Sequence, residues 1–506
     1  MGKSSEPRIF VTVGERTLQQ IEQTVSSFNS SLGLELRLDY LENTQNLDKT
    51  LRELLSRLRF PRFVATCRRA AAGGKFTGTV DEQFAVLEAA VRAGCQLVDI
   101  EVESLKNRDE KELQRLFKPA QLMLSYHSSK KRERLEPIYR RLVRSGAAVV
   151  KIASLAHELR DNLEIFKLLK SHRRRRPRLV ALAMGPTGIP SRILGLQRGS
   201  YLTYASPDSV RSVASGQVPA ELMRSSYRVE HLNSKTMLYG IAGTHASSSL
   251  SPAMQNAAFH AKRINAVYLP CEVRKLADFV ATVKKLGFVG FSVTMPFKQE
   301  ILKYLDWVDP LAERIKAVNT VAVRGGKWLG WNTDTTAVVE VLTKRIRLPG
   351  SRVLVLGAGG AARAAAYTLQ AEGAKVFISA RRPAAAARLA RGIRSQVFPW
   401  GSTDNLEVDS VINATPVGMP PLDHVSPVDL SRLRTRVVFD MVYHPTETAE
   451  TRLVTLARRK GLVTISGLEM LVAQGARQFE IWTDQPAPRA LMEQAARQHF
   501  IHPNSA

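Results

Sequence analysis

Arg352-Val353-Leu354-Val355-Leu356-Gly357-Ala358-Gly359-Gly360-Ala361-Ala362-Arg363 decides how the second half of this chain folds. A short run of buried-strand character leads into a glycine-rich turn, and a helical pattern follows. Glycines at such a turn allow a tight bend and let backbone N–H groups approach a diphosphate at the helix N-terminus. Turns of this kind also occur for packing alone, so the next strand carries the argument further. Lys375–Ser379 ends at Ala380-Arg381-Arg382. An acidic residue there would bond a ribose 2′-hydroxyl, whereas two arginines favour a 2′-phosphate and hence NADP over NAD. Gly357, Gly359, Gly360, Ala361, Arg381 and Arg382 are therefore the candidate cofactor contacts.

Outward from this turn, the chain is too long for one core. At 506 residues it exceeds the roughly 250–300 at which single cores stop growing. Residues 1–225 alternate short apolar runs with amphipathic stretches. Strands are expected at Ile9–Val13, Leu34–Asp39, Phe63–Cys67, Leu97–Glu101, Gln121–Tyr126, Ala147–Ile152, Leu179–Met184 and Tyr201–Tyr204, with helices such as Asp81–Ala93 and Leu155–Leu169 between them. Eight strand-then-helix units in this length predict a (β/α)₈ barrel, with an open doubly wound sheet as the alternative. A polar, irregular stretch at 226–236 reads as a linker, and a second α/β pattern starts at Met237. The expected division is a barrel over 1–225, the linker, a substrate-binding lobe over 237–340 and a Rossmann-like NADP lobe over 341–480. A terminal segment, 481–506, is expected to send a helix back to the substrate lobe.

Composition narrows the function classes. Three scattered cysteines, Cys67, Cys95 and Cys271, lack metal-ligand spacing and read as reduced core thiols, so no metal is expected and the location is expected to be cytoplasmic. No apolar run reaches the ~20 residues of a membrane span, and Met1 to Pro7 lacks the apolar stretch of a secretory signal. The net charge of +27 raises nucleic-acid binding, but the densest basic run, His172 to Arg178, falls where a solvated loop is the default. No aromatic stacking platform accompanies it. Small anionic substrates, no nucleic acid, no membrane, and a monomer or homodimer are the expected partners and state.

Several segments beyond the glycine turn occur in a specific order. They are Ser249-Leu250-Ser251-Pro252, Ser292-Val293-Thr294-Met295-Pro296-Phe297-Lys298, Ala317-Val318-Asn319-Thr320, Asn332-Thr333-Asp334, Asn413-Ala414-Thr415-Pro416-Val417-Gly418-Met419 and Gly467-Leu468-Glu469-Met470-Leu471-Val472-Ala473-Gln474. Together they resemble the motifs of shikimate dehydrogenase over nearly all of 237–502. The resemblance implies a polyhydroxy acid held by Ser249, Ser251, Thr294, Asn319 and Gln474. Ketone reduction then needs hydride at carbon and a proton at oxygen, for which Lys298 and Asp334 are the candidate pair. Asn413, Thr415, Met441 and Gly467 are further candidate cofactor contacts. The sequence departs from the family at Ser292 (for Asn), Ser248 and Gln255 (each for His) and Ala380 (for Asn).

In the first half, polar groups collect near the expected C-terminal ends of strands, where barrel sites lie. These are Glu35, Arg37 and Asp39, then Arg68, Ser125-Tyr126-His127, Lys151 and Ser191-Arg192. A lysine within an apolar strand, with arginines nearby, is expected to favour the neutral, nucleophilic amine; the plain alternative is a strand-end lysine reaching solvent. The set, with Gly216-Gln217, resembles type I 3-dehydroquinate dehydratase over roughly 7–220. The resemblance implies an imine at Lys151, acid–base work at His127, and substrate contacts at Glu35, Arg37, Arg68, Arg192 and Gln217. Ala72 stands where that family has Glu, and Val213 where it has a hydroxyl residue.

The two resemblances imply one chain with two consecutive reactions: dehydration of 3-dehydroquinate to 3-dehydroshikimate, then reduction to shikimate with NADPH. The rivals are a quinate/shikimate dehydrogenase with a weakened dehydratase half, and a non-catalytic regulatory homologue.

Overall fold

A computed structural model describes residues 6–28, 31–105, 110–128, 133–173, 175–402, 406–443 and 450–501. Residues 1–5, Arg174 of the basic run and 502–506 lie outside the described residues. The chain forms two compact units. One runs to Thr236 and takes in Pro270–Thr282; the other holds Met237–Leu269 and the chain from Val283 on.

In the first unit, among the described residues, eight strands form one sheet: β1 (Ile9–Val13), β2 (Gly33–Arg37), β3 (Phe63–Thr66), β4 (Leu97–Glu101), β5 (Gln121–Ser128), β6 (Val149–Leu155), β7 (Arg178–Met184) and β8 (Thr203–Ala205). They pair in the order β7-β6-β5-β4-β3-β2-β1-β8, and the registered pairs are parallel. Tyr201 N–H reaches the Leu179 carbonyl at the remaining seam, 2.8 Å away. The barrel reading therefore holds over the open sheet.

Its interior is layered, each layer drawn from alternate strands. Phe10, Val64, Met123 and Val180 of the odd strands form an apolar layer within one core cluster. Gly33 leaves room for the Phe10 ring, since a Cβ there would lie 2.3 Å from it. Glu35, Asp99, Lys151 and Tyr204 of the even strands form a polar layer above.

Element edges differ from the sequence reading where polar contacts override periodicity. β2 stops at Arg37 because Arg37 turns back on Asp39, through bonds of 2.8 and 2.7 Å, across the turn Leu38–Tyr40. β6 runs on to Leu155, so the helix expected from there begins only at Asp161, whose carboxylate caps the N–H groups of His157 and Glu158.

The second unit holds two larger sheets. A mixed sheet joins β9 (Met237–Gly243), β10 (Ala266–Glu272), β11 (Phe288–Val293), β12 (Trp307–Val308), β13 (Thr320–Arg324) and β14 (Lys327–Trp331) in the order β10-β9-β11-β13-β14-β12. A parallel sheet contains β15 (Arg352–Leu356), β16 (Lys375–Ser379) and β17 (Gln396–Phe398). β18 (Leu406–Glu407) pairs separately with β20 (Leu433–Arg434). β19 (Ser410–Asn413), β21 (Val437–Asp440) and β22 (Val463–Ile465) complete the parallel sheet, whose order is β17-β16-β15-β19-β21-β22. The helix Gly467–Thr483 serves both cores. Met470 and Ala473 enter the core beside the parallel sheet, while Leu468, Val472, Ala476 and Phe479 enter the core beside the mixed one. The helix Arg489–Ile501 packs on the helix Ser251–Ala261. No helix among the described residues is long and apolar enough to cross a membrane.

Candidate active sites

In the barrel, Lys151 is 5% exposed and ion-paired on two sides. Its Nζ lies 2.7 Å from Asp99 Oδ2 and 3.3 Å from Glu35 Oε1, with the Tyr204 ring centroid at 4.1 Å. The expectation of an amine surrounded by apolar residues and arginines is thus corrected: acidic residues of β2 and β4 meet it inside the closed barrel. Glu35 is itself fixed by the hydroxyls of Thr12 (2.7 Å) and Thr66 (2.9 Å). Burial alone would raise the Asp99 carboxyl, but Lys151 and Arg68 hold it well below the usual range.

Arg68 joins this pair to the histidine. Its Nη2 is 3.2 Å from Asp99 Oδ2, and its Nη1 approaches the His127 ring nitrogens, with Nε2 at 2.8 Å. Desolvation, then the Arg68 and Lys151 charges, push the His127 imidazole well below its ordinary value. His127 is therefore neutral near pH 7 and able to accept a proton.

Arg192 is 2% exposed, and burial pushes its guanidinium down to about 10. Its Nη2 reaches the Ser215 carbonyl at 3.3 Å, while its Nε has no partner among the described residues. A buried cation so sparsely compensated suits an anionic ligand. Arg37 and Gln217 are more occupied. Arg37 is committed to Asp39, and Gln217 Oε1 accepts from Ser212 Oγ, Val213 N and Ala214 N within the loop after β8. Val213 packs over Gly14, where a Cβ would meet it at 2.9 Å. Ala72 lies in the turn Ala70–Ala72. At the end of β4, Glu101 is 1% exposed, with Oε1 accepting from the Arg69 N–H (3.0 Å) and Oε2 unpartnered among the described residues.

In the second unit, Lys298 Nζ is 2.7 Å from Asp334 Oδ2, and Asn319 Nδ2 is 2.8 Å from Asp334 Oδ1. Asn319 Oδ1 in turn accepts from Thr320 Oγ1 (2.7 Å) and the Thr333 N–H (2.8 Å). Its amide aims Asp334 with one of its two N–H donors. Thr294 lies against Gly243, where a Cβ would stand 2.4 Å from its methyl, and Ser249 Oγ accepts from the Ser251 N–H. Gln474 bonds the Leu471 carbonyl through Nε2 at 2.9 Å. At the Ser292 departure, the Tyr268 hydroxyl bonds Ser292 Oγ.

The glycine turn forms an open cradle. Gly357 has φ +115°, and a Cβ there would stand 2.9 Å from the Ala414 carbonyl; one on Gly359 would meet nothing within 4 Å. A Cβ on Gly360 would lie 3.5 Å from Lys298 Cδ, so cradle and catalytic pair adjoin. Arg381 and Arg382 are exposed just past β16, a suitable grip for a 2′-phosphate. Asn413 and Thr415 use their side chains internally. Asn413 Nδ2 serves Val417 O and Asp440 Oδ1, and its Oδ1 accepts from Thr415 N–H and Oγ1. Met441 N–H bonds the Asn413 carbonyl. A Cβ on Gly467 would lie 2.6 Å from the Val442 backbone. These residues fit a dinucleotide lying over the sheet edge.

Sequence reasoning missed Asp99, Glu101 and Asp440. The signal for the first two was available: Leu97-Val98-Asp99-Ile100-Glu101 carries two carboxylates on one face of an otherwise apolar strand.

Known proteins match this layout. The profile of type I 3-dehydroquinase matches residues 9–234. Those of the shikimate dehydrogenase substrate binding domain and the shikimate 5'-dehydrogenase C-terminal domain match 241–321 and 467–497. The chain is 33% identical to the chloroplastic bifunctional 3-dehydroquinate dehydratase/shikimate dehydrogenase of Arabidopsis thaliana, across 90% of this chain and 78% of that one. It is 40% identical to a shikimate dehydrogenase (NADP(+)) of Anaeromyxobacter, across 52% of this chain and 97% of that one. A crystal structure of a shikimate dehydrogenase in complex with NADP+ superposes with a TM-score of 0.50 at 37% identity, covering 53% of this chain and 96% of that one.

Proposed function

The chain belongs to the bifunctional 3-dehydroquinate dehydratase/shikimate dehydrogenase family, and from that premise we propose how its own residues divide the work. It dehydrates 3-dehydroquinate to 3-dehydroshikimate and reduces that ketone to shikimate with NADP as cofactor. The dehydratase occupies 1–225 and 226–236 is the linker. The substrate lobe occupies 237–340, the NADP lobe 341–480, and 481–506 returns to the substrate lobe.

In the barrel, the Lys151 ammonium passes a proton to a facing carboxylate, the freed amine attacks the substrate ketone, and that proton departs with the hydroxyl as water, giving an iminium. The iminium draws electrons from the neighbouring C–H bond. Neutral His127 removes that proton and returns it to the departing hydroxyl, so water leaves, and hydrolysis then frees Lys151. Arg192 holds the carboxylate and Arg68 steadies His127. Asp99 and Glu35 keep the lysine aimed. The single observation supporting this reading is the buried Lys151–Asp99–Arg68–His127 chain of contacts.

In the dehydrogenase, Ser249, Ser251, Thr294 and Gln474 bind the substrate hydroxyls and carboxylate. Lys298, held by Asp334 and Asn319, gives its proton to the ketone oxygen. NADPH, when bound, supplies the hydride. Arg381 and Arg382 hold its 2′-phosphate, and the Gly357–Gly360 turn receives its diphosphate.

The three free, buried thiols support a reducing, cytoplasmic setting.

Borohydride added during dehydration should reduce the iminium and fix ligand mass on a peptide containing Lys151, leaving shikimate dehydrogenase activity intact. Dehydration that proceeds with no labelled Lys151 peptide would rule out the covalent route. Because the His127 value is depressed, its neutral form persists below the ordinary 6.5. Dehydratase kcat/KM at pH 6.5 should therefore stay above half its value at pH 8; a half-loss centred near 6.5 would contradict the assignment. Charge-assisted bonds to a phosphate contribute about 1.5–3 kcal/mol each. Arg381→Ala should accordingly weaken NADP about tenfold or more and leave NAD nearly unchanged. Equal losses for both cofactors would reject this role.

A further inference from the structure

Asp440 closes β21 and is fully buried. Its carboxylate collects three donors: Thr451 Oγ1 at 2.6 Å, Asn413 Nδ2 at 2.9 Å and the Val442 N–H at 3.0 Å. Among the described residues it has no ion-pair partner. Burial raises its carboxyl to about 6, against which the three donors pull, so at pH 8 the group is an anion with no neighbouring cation among the described residues. Its bonds would also hold a neutral carboxyl or amide of the same shape. A buried charge is costly to keep, and packing alone does not call for one here.

The strand order locates this charge relative to the dinucleotide. A dinucleotide spreads across the C-terminal edge of such a sheet from its central glycine turn. Arg381 and Arg382 follow β16, on one side of β15, and claim the adenosine half with its 2′-phosphate. The nicotinamide half then falls on the other side, over the ends of β19 and β21, where Asn413 and Asp440 stand opposite each other in register. The neighbouring Val442 backbone abuts Gly467, the start of the helix bearing Gln474, so this side also faces the substrate residues.

We propose that Asp440 is an electrostatic positioning residue for the nicotinamide half of the cofactor, its buried carboxylate favouring the cationic oxidised ring over the neutral reduced one. The inference rests on the NADP assignment above. The bias lowers the free energy of the oxidised state that follows hydride donation, which suits a lobe working in the direction of ketone reduction.

The test compares binding of NADP+ and NADPH to the full chain at pH 8, by calorimetry and nucleotide fluorescence, for wild type, Asp440→Asn and Thr451→Val. Asparagine keeps the shape and an acceptor oxygen but removes the charge. A unit charge within about 10 Å of the ring, at a dielectric between protein and water, changes affinity about fivefold. Asp440→Asn should weaken NADP+ by about that factor relative to NADPH, with no lower thermal midpoint, since a buried charge has been removed. Thr451→Val breaks the shortest bond yet keeps the charge, and should leave the ratio within about twofold of wild type. An unchanged ratio in Asp440→Asn, whether or not both affinities fall, overturns the proposal. So does an equal change of ratio in Thr451→Val. If the Asn protein does not fold, Asp440→Ser replaces it under the same criteria. Failure of wild type to bind either form would instead indict the cofactor assignment.

Discussion

A lysine ammonium inside a closed barrel must be met by opposite charge, and that requirement organises the dehydratase half. Lys151 of β6 is compensated by side chains of strands beyond its immediate neighbours, because the residues in register with it, Ser125 and Val180, carry no charge. β2 and β4 provide Glu35 and Asp99, and β8 provides the Tyr204 ring. Each support has supports of its own: Thr12 and Thr66 for Glu35, and Arg68 for Asp99. Removing one carboxylate would leave a buried charge half-compensated, at a cost of about 3–5 kcal/mol in comparable buried pairs. The polar layer is thus bound to barrel closure, and the apolar layer of Phe10, Val64, Met123 and Val180 beneath it supplies the burial that closure needs.

The dehydrogenase half meets the same requirement differently. Lys298 and Asp334 pair directly, and Asp334 is aimed by one amide, that of Asn319, whose other end is locked by Thr320 and Thr333. Here the charged pair is partly open to the ligand cleft, and the amide settles its geometry. The helix Gly467–Thr483 links this arrangement to the cofactor edge by placing side chains in both cores. Motion of that helix would be felt at Gln474 and at the Val442 backbone together.

Much of this was legible from local sequence. The strand into Gly357-Ala358-Gly359-Gly360, the arginines after β16, and the positions of Lys151, His127, Lys298 and Asp334 all declare themselves within a few residues. What stayed hidden depends on contacts far apart in the chain. Asp99 meets Lys151 across 52 positions, and only closure of the barrel brings them together. The start of the helix at Asp161 was obscured because Leu155, Ala156 and Leu159 extend an apolar periodicity through what is strand end and turn. Asn413 and Thr415 sit in a signature that reads as cofactor contact, yet their side chains serve Asp440 and each other, so their influence on the cofactor passes through the backbone they shape. Ala72 is legible as a departure, but the charges round His127, the Arg68 and Lys151 cations set against the Asp99 carboxylate, appear only in three dimensions.

The central claim is that one chain holds two complete and separable sites, each built round a lysine–carboxylate pair. The most direct measurement follows conversion of 3-dehydroquinate to shikimate by the full chain with NADPH, beside Lys151→Ala and Lys298→Ala. Wild type should form shikimate. Lys151→Ala should form none from 3-dehydroquinate yet reduce added 3-dehydroshikimate at the wild-type rate. Lys298→Ala should accumulate 3-dehydroshikimate. Shikimate formation from 3-dehydroquinate by the Lys151→Ala chain, or loss of both activities in either folded variant, would contradict the account.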